Sequence, residues 1–220
     1  MTTYVLVHGA FRGGWAWDRV APLLRDAGHE VHAPTLSATA TGLDAWVDEV
    51  LPLVSGDDVV LVGHSQGGVV VREVALRAPV QAIVYLDAAV PDPGERAVDV
   101  APARPDDALL PPRETLVPPR PLEPSGDLDA GTAAWMNERL EPVPFAPSLD
   151  PASPGQPESA TTYVFCTDTP AAYPCGTTRS RLDERGTPYS WIDGGHDAPL
   201  TRPEAVAEHL LAAAELRGQM

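Results

Sequence analysis

The most constraining feature of this chain is Gly63-His64-Ser65-Gln66-Gly67, set between an apolar run ending at Val62 and a helical pattern starting near Val69. A turn this tight, at a strand-to-helix junction, forces an unusual backbone on Ser65 and lifts its hydroxyl clear of the sheet. The flanking glycines remove side chains that would clash there, and Gly68 follows as a third. The N–H of Gln66, at the helix start, then faces any negative oxygen that develops beside Ser65, with the helix dipole adding favourable charge. Such a turn is the setting of a serine nucleophile.

The surrounding pattern supplies the context that the turn requires. Short apolar runs at Thr3–Val7, Glu30–Ala33, Asp58–Val62, Gln81–Leu86, Thr161–Cys166 and Tyr189–Ile192 read as strands. Helical patterns fall at Trp17–Ala27 (stopped by Gly28), Leu43–Val54, Val69–Arg77, Thr177–Glu184 and from Thr201 onward. Thr201-Arg202-Pro203-Glu204 reads as a capping box with proline early in the helix. Alternation of this kind implies an α/β fold, a mostly parallel sheet covered by helices on both faces. It pauses after Asp87. Many of the chain's 25 prolines lie between Pro91 and Pro157, and the stretch 91–159 carries one clear helical pattern, Gly131–Leu140. We read residues 1–220 as one domain with an irregular insertion at 91–159.

A serine hydroxyl needs a base to take its proton. Of six histidines, only His196 and His209 follow Ser65 in the order Ser, acid, His that such a fold uses. His209 lies within a helix, whereas His196 sits in the turn Gly194-Gly195-His196-Asp197, so His196 is the candidate base. His8 and His64 lie in glycine turns and shape the site. The acid should follow a strand and orient the imidazole. Asp168, just after Thr161–Cys166, is the first candidate; Asp87, closing Gln81–Leu86, is the second. The glycine-rich turn from His8 to Trp15 offers a second oxyanion N–H, from Ala10 or Phe11, to join that of Gln66.

Composition narrows the partners. A formal charge of −16 and a pI near 4.5 argue against nucleic acid and anionic membrane. No apolar run reaches the roughly 18 residues of a membrane span, and the first strand begins without a signal-type stretch, so a cytoplasmic location is expected. Cys166 and Cys175 lack metal-ligand company in the sequence and read as free thiols. No metal or organic cofactor is expected. Trp135, in the helix of the insertion, is a candidate substrate contact; the oligomeric state is not encoded in any pattern.

The stretches His8-Gly9-Ala10 through Trp15, Ala33-Pro34-Thr35-Leu36, Gly63 through Gly68, Val84-Tyr85-Leu86-Asp87-Ala88, Tyr163–Thr167 and Gly195-His196 with Arg202-Pro203 together resemble the α/β-hydrolase superfamily. The likeness is to its branch of plant methyl-ester esterases, hydroxynitrile lyases and bacterial relatives. It implies a lid formed by the insertion and an acyl-enzyme on Ser65. The expected substrate is a small apolar or aromatic carboxylic ester, and the place of several bacterial relatives in secondary metabolism implies a natural-product intermediate. Non-hydrolytic chemistry and a non-catalytic binding protein are the alternatives. Two departures stand out. Bacterial relatives place the acid where this chain has Thr169, and the lyases carry Thr at Gly9 and Lys at Asp197.

Overall fold

The computed structural model describes residues 1–56 and 58–215. Its strands are β1 (Thr3–Val7), β2 (Glu30–His32), β3 (Val59–His64), β4 (Ala82–Leu86), β5 (Leu116–Val117), β6 (Val143–Pro144), β7 (Ala160–Cys166) and β8 (Ser190–Ile192). Six of them form one sheet in the order β2-β1-β3-β4-β7-β8, parallel throughout. The helices are α1 (Ala21–Asp26), α2 (Leu43–Val50), α3 (Gly67–Arg77), α4 (Ala130–Asn137), α5 (Cys175–Arg185), α6 (Ala198–Thr201) and α7 (Pro203–Glu215).

Both faces of the sheet are buried, which explains why its strands read as continuous apolar runs rather than alternating ones. Tyr4, Leu6, Val60, Val62 and Val84 pack with residues of α1 and α7. Val5, Val7, Leu61 and Ile83, pointing the other way, pack with α2 and α3. The period of two along each strand thus divides one run between two cores. Among the described residues no helix is long and apolar enough to cross a membrane.

Among the helix boundaries that differ from the sequence reading, two differ in kind. The expected helix from Trp17 is a 3-10 turn at Gly14–Trp17 followed by α1. The expected capping box at Thr201 does not form. The Thr201 N–H donates to Asp197 O, so Thr201 closes α6 instead of opening a helix. Arg202 leaves the helical region (φ −135°) because the ring of Pro203 disfavours it there, and α7 starts at the proline.

The insertion contributes the antiparallel pair β5–β6, helix α4 and several 3-10 turns. Its return to the sheet is fastened by a fully buried ion pair on α3. Arg72 meets Glu73 at 2.5 Å and donates to Ser153 O (3.0 Å) and Gly155 O (2.7 Å), while Ser153 N–H donates to Glu73 (3.0 Å). Removing one member strands the other charge in the core. Arg72→Met is therefore expected to destabilise the protein by about 3–5 kcal/mol, read as a lower urea midpoint; an unchanged midpoint would show that the pair holds nothing.

Candidate active site

The register of the sheet decides which residues meet at its carboxyl edge. His64 at the end of β3 lies beside Leu86 at the end of β4, and Leu86 lies beside Val164 of β7. Ser65 and Asp87, each one residue further, therefore emerge side by side. Both hold left-handed backbones, φ 53° and 45°, as does Phe11 at φ 66°. The Ser65 turn is held by Ser65 N–H to Leu86 O and by Gly68 and Ala89 N–H to Ser65 O, each at 3.1 Å.

Glycine is needed at two places around Ser65 because other groups come too close for a side chain. A Cβ on Gly67 would lie 2.5 Å from the Val7 carbonyl oxygen, and one on Gly9 would lie 2.8 Å from Ser65 Cβ. The second contact matters for chemistry. The threonine that the hydroxynitrile lyases carry at the Gly9 position would have to displace Ser65 here.

His196 reaches the site on the turn after β8. Its Nδ1–H donates to Asp87 Oδ2 at 2.6 Å, which leaves the Nε2 lone pair free as a base. Asp87, 1% exposed, also accepts from the Thr169 hydroxyl (2.5 Å) and the Cys166 N–H (3.2 Å). Burial pushes the Asp87 carboxyl up, but His196, Thr169 and Cys166 together outweigh it and hold the group below its ordinary value. Among the described residues Ser65 Oγ forms no hydrogen bond to His196; the two open onto the same cavity. Looser geometry of this kind is common before substrate tightens a catalytic pair.

Asp168, the first candidate for the acid, does not meet His196. The strand β7 runs two residues beyond the level of Leu86 to pair Phe165 and Cys166 with β8. Residues after it consequently emerge too far along the edge, and the Asp168 side chain is exposed. Asp168 supports the histidine turn through its backbone, its N–H donating to Gly194 O at 2.9 Å. Thr169, standing where relatives place their acid, instead holds Asp87. The carboxylate beside the histidine comes from β4.

The remaining candidates divide. Ala10, Phe11 and Gln66 line the cavity with Ser65 and His196. Among the described residues the N–H groups of all three donate to no backbone carbonyl outside the regular elements. Trp135 does not line the cavity. It packs edge-on against Trp15 (5.4 Å) with the Arg139 guanidinium over its ring, so α4 spends this aromatic on anchoring itself.

Arg12 was not singled out from the sequence, although it follows the oxyanion turn directly. Its Nε and Nη2 donate to Asp197 Oδ1 at 2.8 and 2.6 Å, and its Nη1 donates to Ala10 O at 3.0 Å. The guanidinium thereby ties the oxyanion turn to the residue after His196. Burial raises the Asp197 carboxyl, yet the Arg12 guanidinium beside it brings it below the ordinary range.

Two further histidines are fixed as neutral supports. His8 Nε2 accepts the Leu36 N–H (3.0 Å), so Nδ1 carries the proton and donates to Gly9 O (2.8 Å). His64 Nε2–H donates to His196 O (2.8 Å). Burial lowers His8 to about 4 and His64 to about 3. Both folded values lie below the ordinary 6.5, so the unfolded chain binds these protons first as pH falls. Their stabilisation is complete above pH 6.5, declines below it and is lost by about 4 for His8 and about 3 for His64. The expected slope inside the shared window is about 1.4 kcal/mol per pH unit for each. Ring NMR should show two histidines with no titration step between about pH 7.5 and about pH 5; a step in either would refute the neutral assignment.

The cavity above Ser65 has a volume of ≈ 620 Å³. The insertion supplies much of its apolar wall, including Val98, Val117, Pro118, Leu122 and Leu140. Three bonds attach the insertion to the site: Gln66 Nε2 to Ser148 Oγ (2.9 Å), Glu141 N–H to Phe11 O (3.0 Å) and Gly195 N–H to Asp127 Oδ1 (3.1 Å).

Several known proteins are similar to this chain. A family model described as the alpha/beta hydrolase family matches residues 4–209. The carbendazim hydrolyzing esterase of Nocardioides sp. (strain SG-4G) is 42% identical over 116 residues, 46% of this chain and 48% of that protein. Salicylic acid-binding protein 2 of Nicotiana tabacum is 41% identical over 104 residues, 40% of each chain. The match thus spans about half or less of these curated relatives. A solved extracellular alpha/beta-hydrolase from a Paenibacillus species superimposes with a TM-score of 0.77 at 22% identity, covering 97% of this chain and 99% of that one.

Proposed function

Because the chain belongs to the alpha/beta hydrolase family, we propose that it hydrolyses small carboxylic esters through an acyl-enzyme on Ser65. The observation that carries the reading is the 2.6 Å bond from His196 Nδ1 to buried Asp87, with His196 and Ser65 facing one cavity. Relatives named as esterases support the same chemistry.

His196 Nε2 takes the proton as Ser65 Oγ attacks the ester carbonyl. Asp87 holds the imidazole in the required tautomer and stabilises its charged form. The N–H groups of Gln66 and Ala10 receive the oxyanion, each contributing about 2.7–4 kcal/mol where such donors have been removed. His196 returns the proton to the departing alcohol, and water then cleaves the acyl-enzyme by the same steps. The insertion acts as the lid, and its apolar residues favour an apolar or aromatic acyl or alcohol group. No step requires a metal or cofactor. The Gly9–Ser65 contact and the lack of a lysine at position 197 favour hydrolysis over the lyase alternative.

With p-nitrophenyl acetate, Ser65→Ala should reduce turnover to background while circular dichroism remains native. Asp87→Asn should lower kcat by about 10⁴-fold, and Asp168→Asn should stay within a few-fold of wild type. Full activity in Asp87→Asn with loss in Asp168→Asn would return the acid to β7. A fluorophosphonate probe that labels wild type but not Ser65→Ala would establish the nucleophile; absence of labelling would favour a non-catalytic binding protein.

A further inference from the structure

Cys175 stands at the start of α5 and was read from sequence as a thiol without metal-ligand company. The fold supplies that company. Its Sγ, an Asp87 carboxylate oxygen and a His196 ring nitrogen all lie within 4.8 Å of one another, and all three residues are buried. They also line the cavity, so an ion has a route in from solvent. We infer that Asp87, Cys175 and His196 form a binding site for a thiophilic divalent cation of the zinc class, and that its occupation switches off the Ser65–His196 pair. The inhibitory consequence rests on the esterase reading; the binding does not.

The donor set suits such an ion. One thiolate, one imidazole and one carboxylate are all zinc ligands, and three protein ligands with a fourth position open to water is a common zinc arrangement. With bonds of about 2.0–2.3 Å, tetrahedral ligands lie roughly 3.3–3.6 Å apart. The present 2.6 Å Asp87–His196 contact must therefore lengthen by about 1 Å, and the widest separation, at most 4.8 Å, must shorten by a similar amount.

The exchange also balances charge. Without metal, Asp87 is the carboxylate of the three and faces a neutral thiol and a neutral imidazole. On binding, Cys175 releases its proton to solvent. The divalent ion then meets two anionic ligands and a neutral imidazole, so the buried cluster carries no net charge. Harder ions such as magnesium gain nothing from the sulfur and prefer octahedral oxygen sites.

Inhibition follows from the imidazole itself. In the metal-free site Nδ1 carries the proton and Nε2 is the base. A cation on Nδ1 displaces that proton, and neutral His196 then carries its one proton on Nε2. The lone pair that would accept the Ser65 proton is gone, whether or not substrate fits the cavity.

Cobalt(II) is the direct probe, because a cobalt–thiolate bond gives a near-ultraviolet charge-transfer band and tetrahedral cobalt gives intense visible bands. The purified full chain should bind one equivalent with both signals and lose them on adding zinc. Cys175→Ala and Cys175→Ser should lack the thiolate band, and Cys166→Ala should keep it. Zinc should inhibit ester hydrolysis reversibly, with a chelator restoring the rate. In either Cys175 variant, compared with its own uninhibited rate, the zinc concentration for half inhibition should rise by more than the roughly 10–100-fold typical of losing a supporting contact. No thiolate band in wild type, or a band and inhibition that survive Cys175→Ser, would overturn the site. A band in a protein without esterase activity would keep the site and reject the esterase reading; an active esterase without the band would do the reverse.

Discussion

The site depends on left-handed backbone at three residues that are not glycine. Phe11, Ser65 and Asp87 are the non-glycine residues with positive φ among those described, and all three follow adjacent strands at one edge of the sheet. Each such conformation costs on the order of 1–2 kcal/mol for an L-residue. Hydrogen bonds that only the assembled sheet can make offset the cost: Ser65 N–H to Leu86 O, Asp87 N–H to Val164 O (2.7 Å) and Glu141 N–H to Phe11 O. Local sequence would not choose these angles. The sheet and the insertion impose them, and in return the hydroxyl and the carboxylate leave their strands pointing the same way.

The insertion is a brace as much as a cover. Its return is fastened to α3 by Arg72 and Glu73, and Asp150 accepts the first N–H of α2 from Leu43 at 2.7 Å. Ahead of those anchors it bonds to the turns that carry Phe11, Gln66 and Gly195 through Glu141, Ser148 and Asp127 respectively. Proline suits such a segment, since it lowers the entropy that the chain loses when a path without regular structure is ordered. Motion of the wall over the cavity would therefore be transmitted to the three turns that form the site.

What was legible in the sequence follows from how local each signal is. The six strands and the elbow could be read because burial on both faces makes strands uniformly apolar and because a serine between glycines there has few other uses. His196 could be read from chain order and its glycine turn. The carboxylate that meets His196 could not be ranked first, since choosing between Asp87 and Asp168 requires knowing that β7 overshoots β4 by two residues. The threonine at 169 was a usable signal: with no carboxylate in the relatives' position, the aspartate ending the neighbouring strand becomes the stronger candidate. Trp135 was misplaced because helical spacing cannot tell which neighbour an aromatic meets. Arg12 went unnoticed for a related reason, its partner lying 185 residues away.

That Arg12–Asp197 pair resolves a difficulty raised by the charge of the chain. An aspartate directly after His196, in a protein of net charge −16, would seem to burden the site with negative charge where an oxyanion must form. With Arg12 bonded to Asp197, the two contribute no net charge, and Asp87 remains the charge that faces the histidine. At rest the group is then negative by one. In the proposed mechanism, the imidazolium formed when His196 takes the Ser65 proton would balance Asp87, and the oxyanion would meet N–H dipoles rather than a second carboxylate. Because the balancing charges are already in place within a largely buried site, little reorganisation is needed as the reaction proceeds, which is the condition under which fixed dipoles stabilise a transition state most. The surplus acidity of the chain acts through solvent and is screened beyond about 8–10 Å; the arginine acts within hydrogen-bond distance, and distance decides which of them the site feels.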